Sequence, residues 1–379
     1  MLQKITSFFK RETVLAVSLI LAALSCFLVK PDAAYAGYID FHTLALLFCL
    51  MAVMAGLQEI GLFVYIGGKL LNKVHTKYSL VFLLVFLCFF SSMLVTNDVA
   101  LITFVPLAIL ILQLSKQEHL LCTTVILQTI AANLGSMMTP IGNPQNLYLY
   151  TKSGLSTGDF LLLMFPYTVL AGALLALSIW MLYHKQGSFE RVPIKETKIK
   201  TKPLIYYSIL FLLCLLSVAK LLPVWMLLAI IVIALLLGNR KLFTQIDYGL
   251  LLTFAAFFIF IGNMGRYPAF RNFLTSIIHG REQLTAILSS QVISNVPAAL
   301  LLSGFTNRWN DLILGTNIGG LGTLIASMAS LISYKQISSS YPEQKRKYLC
   351  QFTLWNVAFL AVTILSSDKR CSHLIHRIT

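Results

Sequence analysis

Short polar residues interrupt two apolar stretches of the chain and could bind a small ion or a polar solute. The first stretch carries Thr96-Asn97-Asp98 near its middle, and the second carries Ser294-Asn295. A helix that ends inside such a stretch leaves backbone N–H and C=O groups without partners in the helix. Helix N-termini attract anions, whereas free carbonyl oxygens coordinate small cations, so both breaks are candidates for a binding site.

Asp98 is the only acidic residue at either break. An ionised aspartate at the centre of a membrane costs about 2.5–3.5 kcal/mol on insertion scales, so such a residue is rarely left facing lipid. Three roles are open for it: a ligand of a cation, a carrier of a coupling proton, or the cap of the helix that follows. Glu59 and Arg266 also lie in apolar stretches, and each could line the same pathway or stabilise an interface.

A third break lies between these two, where glycine and proline are concentrated. Proline removes a backbone donor and clashes with the preceding turn, and unwound backbone at membrane depth is tolerated only where it lines a cavity or is buried in protein. The glycines and prolines of this break are Gly135, Pro140, Gly142 and Pro144. The residues that add hydroxyl, amide and backbone groups are Thr139, Gly142, Asn143 and Asn146.

The composition indicates a membrane protein. Of the 379 residues, 58% are hydrophobic and 11% are charged, whereas soluble domains contain about 25% charged residues. The net charge of +15 comes from basic residues in short loops between apolar segments. This is the positive-inside pattern of membrane proteins, so we expect the lipid bilayer, and not a nucleic acid, as the partner of the chain.

Enzyme chemistry finds little support in the sequence. There is no His-Glu-x-x-His or Gly-x-Ser-x-Gly motif, and the seven cysteines lack Cys-x-x-Cys spacing. We therefore expect no catalysis, no cofactor and no metal site other than one for Na+.

The expected fold is an all-α polytopic membrane protein with about nine transmembrane spans and two re-entrant helical hairpins. Residues 41–66 are expected to form one continuous span, and basic residues before residue 12 predict a cytoplasmic N-terminus. The hairpins cover 78–114 and 284–304, and the broken helices cover 120–150 and 312–334. The predicted divisions are an N-terminal repeat (1–183), a basic cytoplasmic linker (184–203), an extra span (204–223), a C-terminal repeat (224–366) and a tail (367–379).

Two self-alignments favour an internal repeat of opposite orientation. Ile39-Asp40-Phe41 aligns with Ile246-Asp247-Tyr248 at the start of an apolar span. The segment 133–141 aligns with 317–325, and the loop charges orient the paired segments oppositely. Weak internal similarity with inverted topology is typical of secondary transporters, whose sites lie near the membrane midplane between the repeats.

These motifs resemble the inverted-repeat ion-transporter superfamily that contains divalent-anion:sodium symporters, citrate-transporter-like permeases and arsenite-pump permeases. The resemblance covers the chain from Tyr38 to Leu365. It is carried by Thr96-Asn97-Asp98 and Ser294-Asn295-Val296 at the hairpin tips and by the run from Gly135 to Asn146.

The resemblance implies a homodimer of scaffold and transport domains that works by elevator-like movement. It implies a cation, Na+ or H+, at each hairpin tip and a substrate between the tips. The residues expected to bind cations are Thr96, Asn97, Asp98 and backbone at Gly142 in the first site, and Ser294, Asn295 and backbone near Ala326 in the second. The residues expected to bind substrate are Asn97, Asp98, Asn143, Asn295 and Thr323.

One departure from the family pattern affects the expected solute. The dicarboxylate symporters carry Ser-Asn-Thr at both tips, whereas this chain has Asp98 and Val296 at the threonine positions. An acidic group beside a dianion is repulsive unless it is protonated or paired with a cation.

We expect a cation-coupled secondary transporter of a small anionic solute, such as a di- or tricarboxylate or an inorganic oxyanion, in a bacterial-type inner membrane. Export of arsenite or antimonite is the alternative within this class. An ion channel or a non-transporting membrane protein is the alternative from another class.

Overall fold

The computed structural model describes residues 12–71, 74–185, 187–188 and 199–375, with side chains of the last helix described as far as residue 367. Within these ranges 82% of the chain is helical and no β-strand forms. The basic N-terminal segment, most of the predicted linker 184–203 and residues 376–379 of the predicted tail lie outside the described residues. The all-α fold is confirmed.

The helices of the first half are broken at several points. They are α1 (Thr13–Leu28), α2 (Tyr35–Tyr38), α3 (Phe41–Glu59), α4 (Leu62–Leu71), α5 (Lys77–Leu94), α6 (Asn97–Leu114), α7 (Leu121–Ser136), α8 (Pro144–Ser153) and α9 (Thr157–Tyr183). The helix predicted within span 41–66 is interrupted: α3 ends at Glu59 and α4 begins at Leu62, and Gly61 between them has φ 77°.

The second half begins after the linker. Its helices are α10 (Thr201–Val218), α11 (Val224–Gly238), α12 (Tyr248–Arg266), α13 (Pro268–Ile278), α14 (Glu282–Ile293), α15 (Asn295–Ser303), α16 (Trp309–Ile318), α17 (Met328–Ser340) and α18 (Lys345–Ile375). Helix α18 extends into the predicted tail, since no glycine or proline follows residue 365 to end it.

Seven segments in the described part of the chain are long and apolar enough to cross a membrane. They are α3, α5, α6, α9, α10, α12 and the segment Pro342–Ser367. Helices α1 and α11, predicted as spans, are apolar but shorter than these. Because α5 and α6 each have the length of a full span, the re-entrant course of the first hairpin stays a prediction, as does the division into inverted repeats.

Aspartate side chains fix the start of two long helices that correspond in the self-alignment. Asp40 accepts a hydrogen bond from the backbone N–H of Thr43 at 3.0 Å at the start of α3. Asp247 accepts one from Leu250 at 2.9 Å at the start of α12. Each aspartate satisfies a backbone donor that the first helical turn leaves free.

The charged residues Glu59 and Arg266 stabilise contacts between neighbouring segments. Arg266, at the end of α12, forms an ion pair with Asp32 at 2.8 Å. The carboxylate of Glu59, at the end of α3, accepts hydrogen bonds from the side-chain amide of Asn239 at 3.0 and 3.1 Å. Both side chains therefore make contacts between segments, as the interface role requires, and a role along the pathway stays a prediction.

Candidate functional site

Both hairpin tips make the same backbone contact with a broken helix. The backbone N–H of Asn97 donates to the carbonyl oxygen of Gly142 at 3.0 Å, and that of Asn295 donates to the carbonyl oxygen of Ala326 at 3.0 Å. The first pair joins the α5–α6 tip to the connection between α7 and α8. The second joins the α14–α15 tip to the connection between α16 and α17. The structure therefore brings together the residues predicted for each cation site.

The first tip turns through two extended residues. Helix α5 ends at Leu94, and Thr96 caps α6 by accepting a long hydrogen bond of 3.5 Å from the N–H of Val99. Thr139, in the connection between α7 and α8, also holds this tip, because its hydroxyl donates to the carbonyl oxygen of Met93 at 2.5 Å. The polar break is thus held on both sides by its neighbours.

The second tip turns within a single strained residue. Ser294 has φ 74° and ψ 155°, a region that is essentially restricted to glycine. Its hydroxyl donates to the carbonyl oxygen of Ala326 at 3.4 Å. Holding a serine in this conformation costs about 1–3 kcal/mol, which the surrounding contacts must offset.

The first broken helix satisfies its free backbone groups with two asparagines. Asn143 caps α8 by accepting from the N–H of Asn146 at 2.9 Å. The side-chain amide of Asn146 donates to the carbonyl oxygens of Ser136, Met137 and Thr139 at 3.2–3.4 Å, so it closes the end of α7. A Cβ at Gly142 would overlap the carbonyl group of Ser136, so this turn requires glycine.

The second broken helix is closed by Gln291, a residue of the hairpin helix α14. Its amide donates to the carbonyl oxygens of Gly319 and Leu321 at 2.9 Å each. Its side-chain oxygen accepts from the backbone N–H of Thr323 at 2.9 Å, and its backbone carbonyl accepts from the Thr323 hydroxyl at 3.0 Å. Thr323, predicted to bind substrate, therefore bonds to Gln291 and to neither tip asparagine.

The two broken helices are cross-linked reciprocally. Asn133 in α7 accepts from the hydroxyl of Ser327, the N-cap residue of α17, at 2.9 Å. Asn317 in α16 accepts from the amide of Asn143, the N-cap residue of α8, at 3.2 Å. Asn133 of the first broken helix therefore contacts the residue before α17 in the second. Asn317 of the second contacts the residue before α8 in the first.

Asn133 and Asn317 also extend this cluster. The amide of Asn97 donates to Asn133 at 3.1 Å, and the amide of Asn317 donates to Asn146 at 2.6 Å. Ser136 connects the two groups, because its hydroxyl accepts from the amide of Asn143 at 3.1 Å and donates to the backbone carbonyl of Asn133 at 2.9 Å. Three helices (α6, α8 and α17) begin at residues of this connected set and α15 begins beside it, so four helix N-termini with partial positive charge lie close together. We call these hydrogen-bonded residues (Asn97, Asn133, Asn143, Asn146, Asn317 and Ser327) the amide cluster.

Three members of the amide cluster were not among the predicted site residues, namely Asn133, Asn317 and Ser327. Asn133 and Asn317 occupy the same position in the self-alignment of 133–141 with 317–325. These equivalent positions could have indicated both asparagines as site residues, because an asparagine inside an apolar helix needs a hydrogen-bond partner. Which residue supplies that partner depends on tertiary structure.

Asp98 lies beside the amide cluster and faces a cavity. It occupies the first turn of α6, but Thr96 supplies the cap, so the capping role considered for Asp98 is wrong. Its Oδ1 atom is buried and has no hydrogen-bond partner among the described residues. The cavity has a volume of about 200 Å³ and is also lined by Thr96, Asn143 and Asp247.

The chain matches the family model described as "Citrate transporter" over residues 2–306, which include both hairpin tips. The chain belongs to the CitMHS citrate transporter family. The residues that carried the resemblance all lie in this range, and the identification as a citrate-transporter-like permease is confirmed.

Two relatives of this CitMHS protein align over most of its length. The uncharacterized transporter MJ0456 of Methanocaldococcus jannaschii is 34% identical over 298 residues, which cover 78% of this chain and 81% of that protein. The inner membrane protein YbiR of Escherichia coli is 32% identical over 345 residues, which cover 89% of each chain.

A third relative is similar over a shorter region. The silicon efflux transporter LSI3 of Oryza sativa is 34% identical over 145 residues, which cover 38% of this chain and 29% of that protein. Family membership and the apolar helices together show a multi-pass membrane transporter, a class of protein that is not enzymatic.

Proposed function

We propose that this transporter is a cation-coupled secondary carrier of a small anionic solute, a di- or tricarboxylate or an inorganic oxyanion. The observation that carries the proposal is the pair of equivalent contacts, Asn97 to Gly142 and Asn295 to Ala326. Sites between paired helix breaks are typical of secondary transporters, where helix N-termini contact anionic groups and unwound carbonyls bind cations.

The cation sites lie at these two contacts. A carbonyl oxygen has two lone pairs, so Gly142 can accept from the N–H of Asn97 and still coordinate an ion, whereas Ala326 can do so once the Ser294 hydroxyl turns away from it. Thr96 and Asn97 supply oxygens to the first site, and Ser294 and Asn295 supply them to the second. Asp98, with its buried unbonded oxygen, adds negative charge to the first site alone. Coupling to Na+ or H+ is therefore concentrated on the first hairpin.

The solute binds between the tips, at the amide cluster. Asn97 and Asn143 belong to that cluster, and Asn295 lies next to it against Gly320. Four converging helix N-termini supply partial positive charge that suits an anion. Asp98 becomes compatible with an anion when it is protonated or holds a cation, which links solute binding to the coupling ion.

The amide cluster also supports elevator-type movement. Its hydrogen bonds join α7 and α8 of the first half to α16 and α17 of the second, so both hairpin tips rest on one connected unit. Helix α12 packs on α1 and α3 outside it, through contacts such as the hydrogen bond from Asn263 to Ser25 at 2.9 Å. We propose that the connected unit moves against these helices, and that they belong to the scaffold of a homodimer.

Export of an uncharged oxoacid, such as arsenous or antimonous acid, is a second candidate. The hydrogen-bond partners described within the amide cluster include no lysine, arginine or histidine, and Asp98 opposes a dianion. The silicon efflux transporter LSI3 is similar over part of the chain. A neutral hydroxylated solute would use the same amide and hydroxyl groups without a compensating cation.

Transport in proteoliposomes tests the proposal. The purified chain would be reconstituted and screened against citrate, dicarboxylates, sulfate, phosphate, arsenite and silicic acid, with and without gradients of Na+ and H+. We expect accumulation of an anion that requires one of the gradients, together with counterflow by unlabelled solute. Flux without counterflow would indicate a channel, and the absence of flux for every solute would contradict a carrier of this class.

Localisation in a bacterial-type inner membrane is part of the proposal. The relative YbiR is named an inner membrane protein and aligns over 89% of this chain. The cytoplasmic position of the N-terminus remains a prediction from the basic residues that precede residue 12.

A further inference from the structure

The cavity beside Asp98 has an acidic character that suits a cation and not an anionic solute. Among the described residues, Asp98 and Asp247 are the only charged ones that line it, and Gln58, Gln245, Thr96 and Asn143 are its polar residues. The remainder of the lining is apolar. Two carboxylates without a basic side chain attract cations and repel anions along such a passage.

The cavity is lined by one exposed carboxylate and by a second carboxylate that has a buried oxygen atom. Asp247 and its neighbour Gln245 are exposed, whereas the Oδ1 atom of Asp98 is buried and has no hydrogen-bond partner among the described residues. The two carboxylates line the same cavity of about 200 Å³, so they repel each other when both are ionised. A bound cation or proton would relieve this repulsion and give the unbonded oxygen a partner.

The mouth of the cavity lies beside a basic loop. A short 3-10 helix, Arg240–Gln245, leads directly to Asp247 and carries Arg240 and Lys241. Basic loops lie on the cytoplasmic side in most membrane proteins. Glu12 is close to the first turn of α12 at Gly249, so it adds an acidic group near the mouth.

We propose that this cavity is the cytoplasmic pathway by which the coupling cation, Na+ or H+, reaches Asp98, and that Asp247 attracts the cation at the mouth. The inference rests on the proposed cation coupling and adds a residue and a route to it. Asp247 belongs to the loop before α12, whereas Asp98 belongs to the hairpin. Elevator movement of the hairpin would separate the two carboxylates and close the route.

Chemical modification of a single cysteine tests the charge of the route without knowledge of the solute. In full-length protein whose native cysteines are replaced, Gln58→Cys places a thiol in the cavity lining. It is treated with cationic trimethylammonium or anionic sulfonate methanethiosulfonate reagents in membrane vesicles of each orientation. We expect faster reaction with the cationic reagent, and from the cytoplasmic side.

Asp247→Asn should lower the ratio of the rate with the cationic reagent to the rate with the anionic reagent by about threefold to tenfold. This is the Coulomb effect expected when one charge is removed at roughly 7 Å from the reacting reagent in water. Asparagine still caps a helix, so α12 keeps its start. Asp40→Asn is the matched control, because Asp40 caps α3 in the same way and does not line the cavity. An unchanged ratio in Asp247→Asn, or an equal fall in Asp40→Asn, overturns the proposal.

A second measurement tests whether a cation occupies the route. Replacing choline chloride with NaCl should slow modification of Gln58→Cys in protein that retains Asp98, and not in Asp98→Asn. Lowering the pH slows modification of any thiol because the thiolate fraction falls, so proton occupancy is measured as a larger slowing of the reaction with the cationic reagent in protein that retains Asp98 than in Asp98→Asn. Ile102→Cys, also in the lining, serves if Gln58→Cys does not fold. Absence of protection by either cation overturns the proposal. Because no solute is used, failure of the solute screen leaves this result unaffected.

Discussion

Asn143 donates a hydrogen bond to Asn317 across 174 positions of sequence, at a distance of 3.2 Å. The bond joins the cap of one broken helix to the body of the other, and Asn133 with Ser327 repeats the arrangement in the opposite sense. The two breaks thus share their polar groups in one buried cluster.

Breaking the Asn143–Asn317 bond should destabilise the protein. Asn317→Ala should lower the free energy of unfolding by about 1–3 kcal/mol, because it leaves buried polar partners unsatisfied. Denaturation in detergent would measure this change. In a double-mutant cycle with Asn143→Ala we expect a coupling energy of about 0.5–3 kcal/mol. Additive effects of the two substitutions would contradict a direct bond.

The turn at Gly142 should tolerate no side chain. Gly142→Ala would place a Cβ against the backbone of Ser136, which cannot move aside as a side chain would. We expect a loss of stability of about 1–3 kcal/mol, together with a loss of transport, because the carbonyl at the first tip would shift. Gly265→Ala is the control, since nothing lies within 4 Å of the added Cβ. Equal stability of the two variants would show that the turn at Gly142 is not rigid.

Two substitutions of Ser294 should separate the effect of backbone strain at the second tip from the effect of its hydroxyl on ion binding. Ser294→Gly relieves the backbone conformation at φ 74°, whereas Ser294→Ala keeps the strain, and both remove the hydroxyl. We expect the glycine variant to be more stable than the alanine variant by about 1 kcal/mol, with cation dependence weakened in both. Thermal denaturation with and without NaCl measures both effects. A less stable glycine variant would show that Ser294 is not strained.

Much of the site was predictable because helix breaks have local causes. Thr96, Asn143 and Ser294 each precede a helix, and the prolines and glycines around Gly142 cannot continue one, so the breaks fall where the sequence placed them. The break at Gly61 was missed because a single glycine in an apolar run carries little signal.

The partners of the buried polar groups could not be predicted in this way. Nothing near Asn133 in sequence indicates that its partner is Ser327, because that bond depends on how the two halves pack. Asp247 was also not predicted to line a cavity. An aspartate just before an apolar helix is explained by capping alone, so its position in the sequence indicates no further role. Helix α13 was not assigned, because its eleven residues are too few and too polar to predict a span.

Access to the first tip should alternate. A cysteine at Asn97, in a background without native cysteines, should react with an impermeant reagent from one side of the membrane at a time. Coupling ion and solute should change which side is reactive, because they shift the population of the inward-facing and outward-facing states. Reactivity that neither ligand changes would count against a central site.

Asp98→Asn in proteoliposomes tests whether Asp98 couples solute movement to a cation. The variant keeps the size of the side chain and removes its charge and its titratable proton. With the solute identified by the screen, we predict that accumulation driven by an Na+ or H+ gradient is lost while solute exchange continues. Full accumulation that still depends on the gradient would contradict the account.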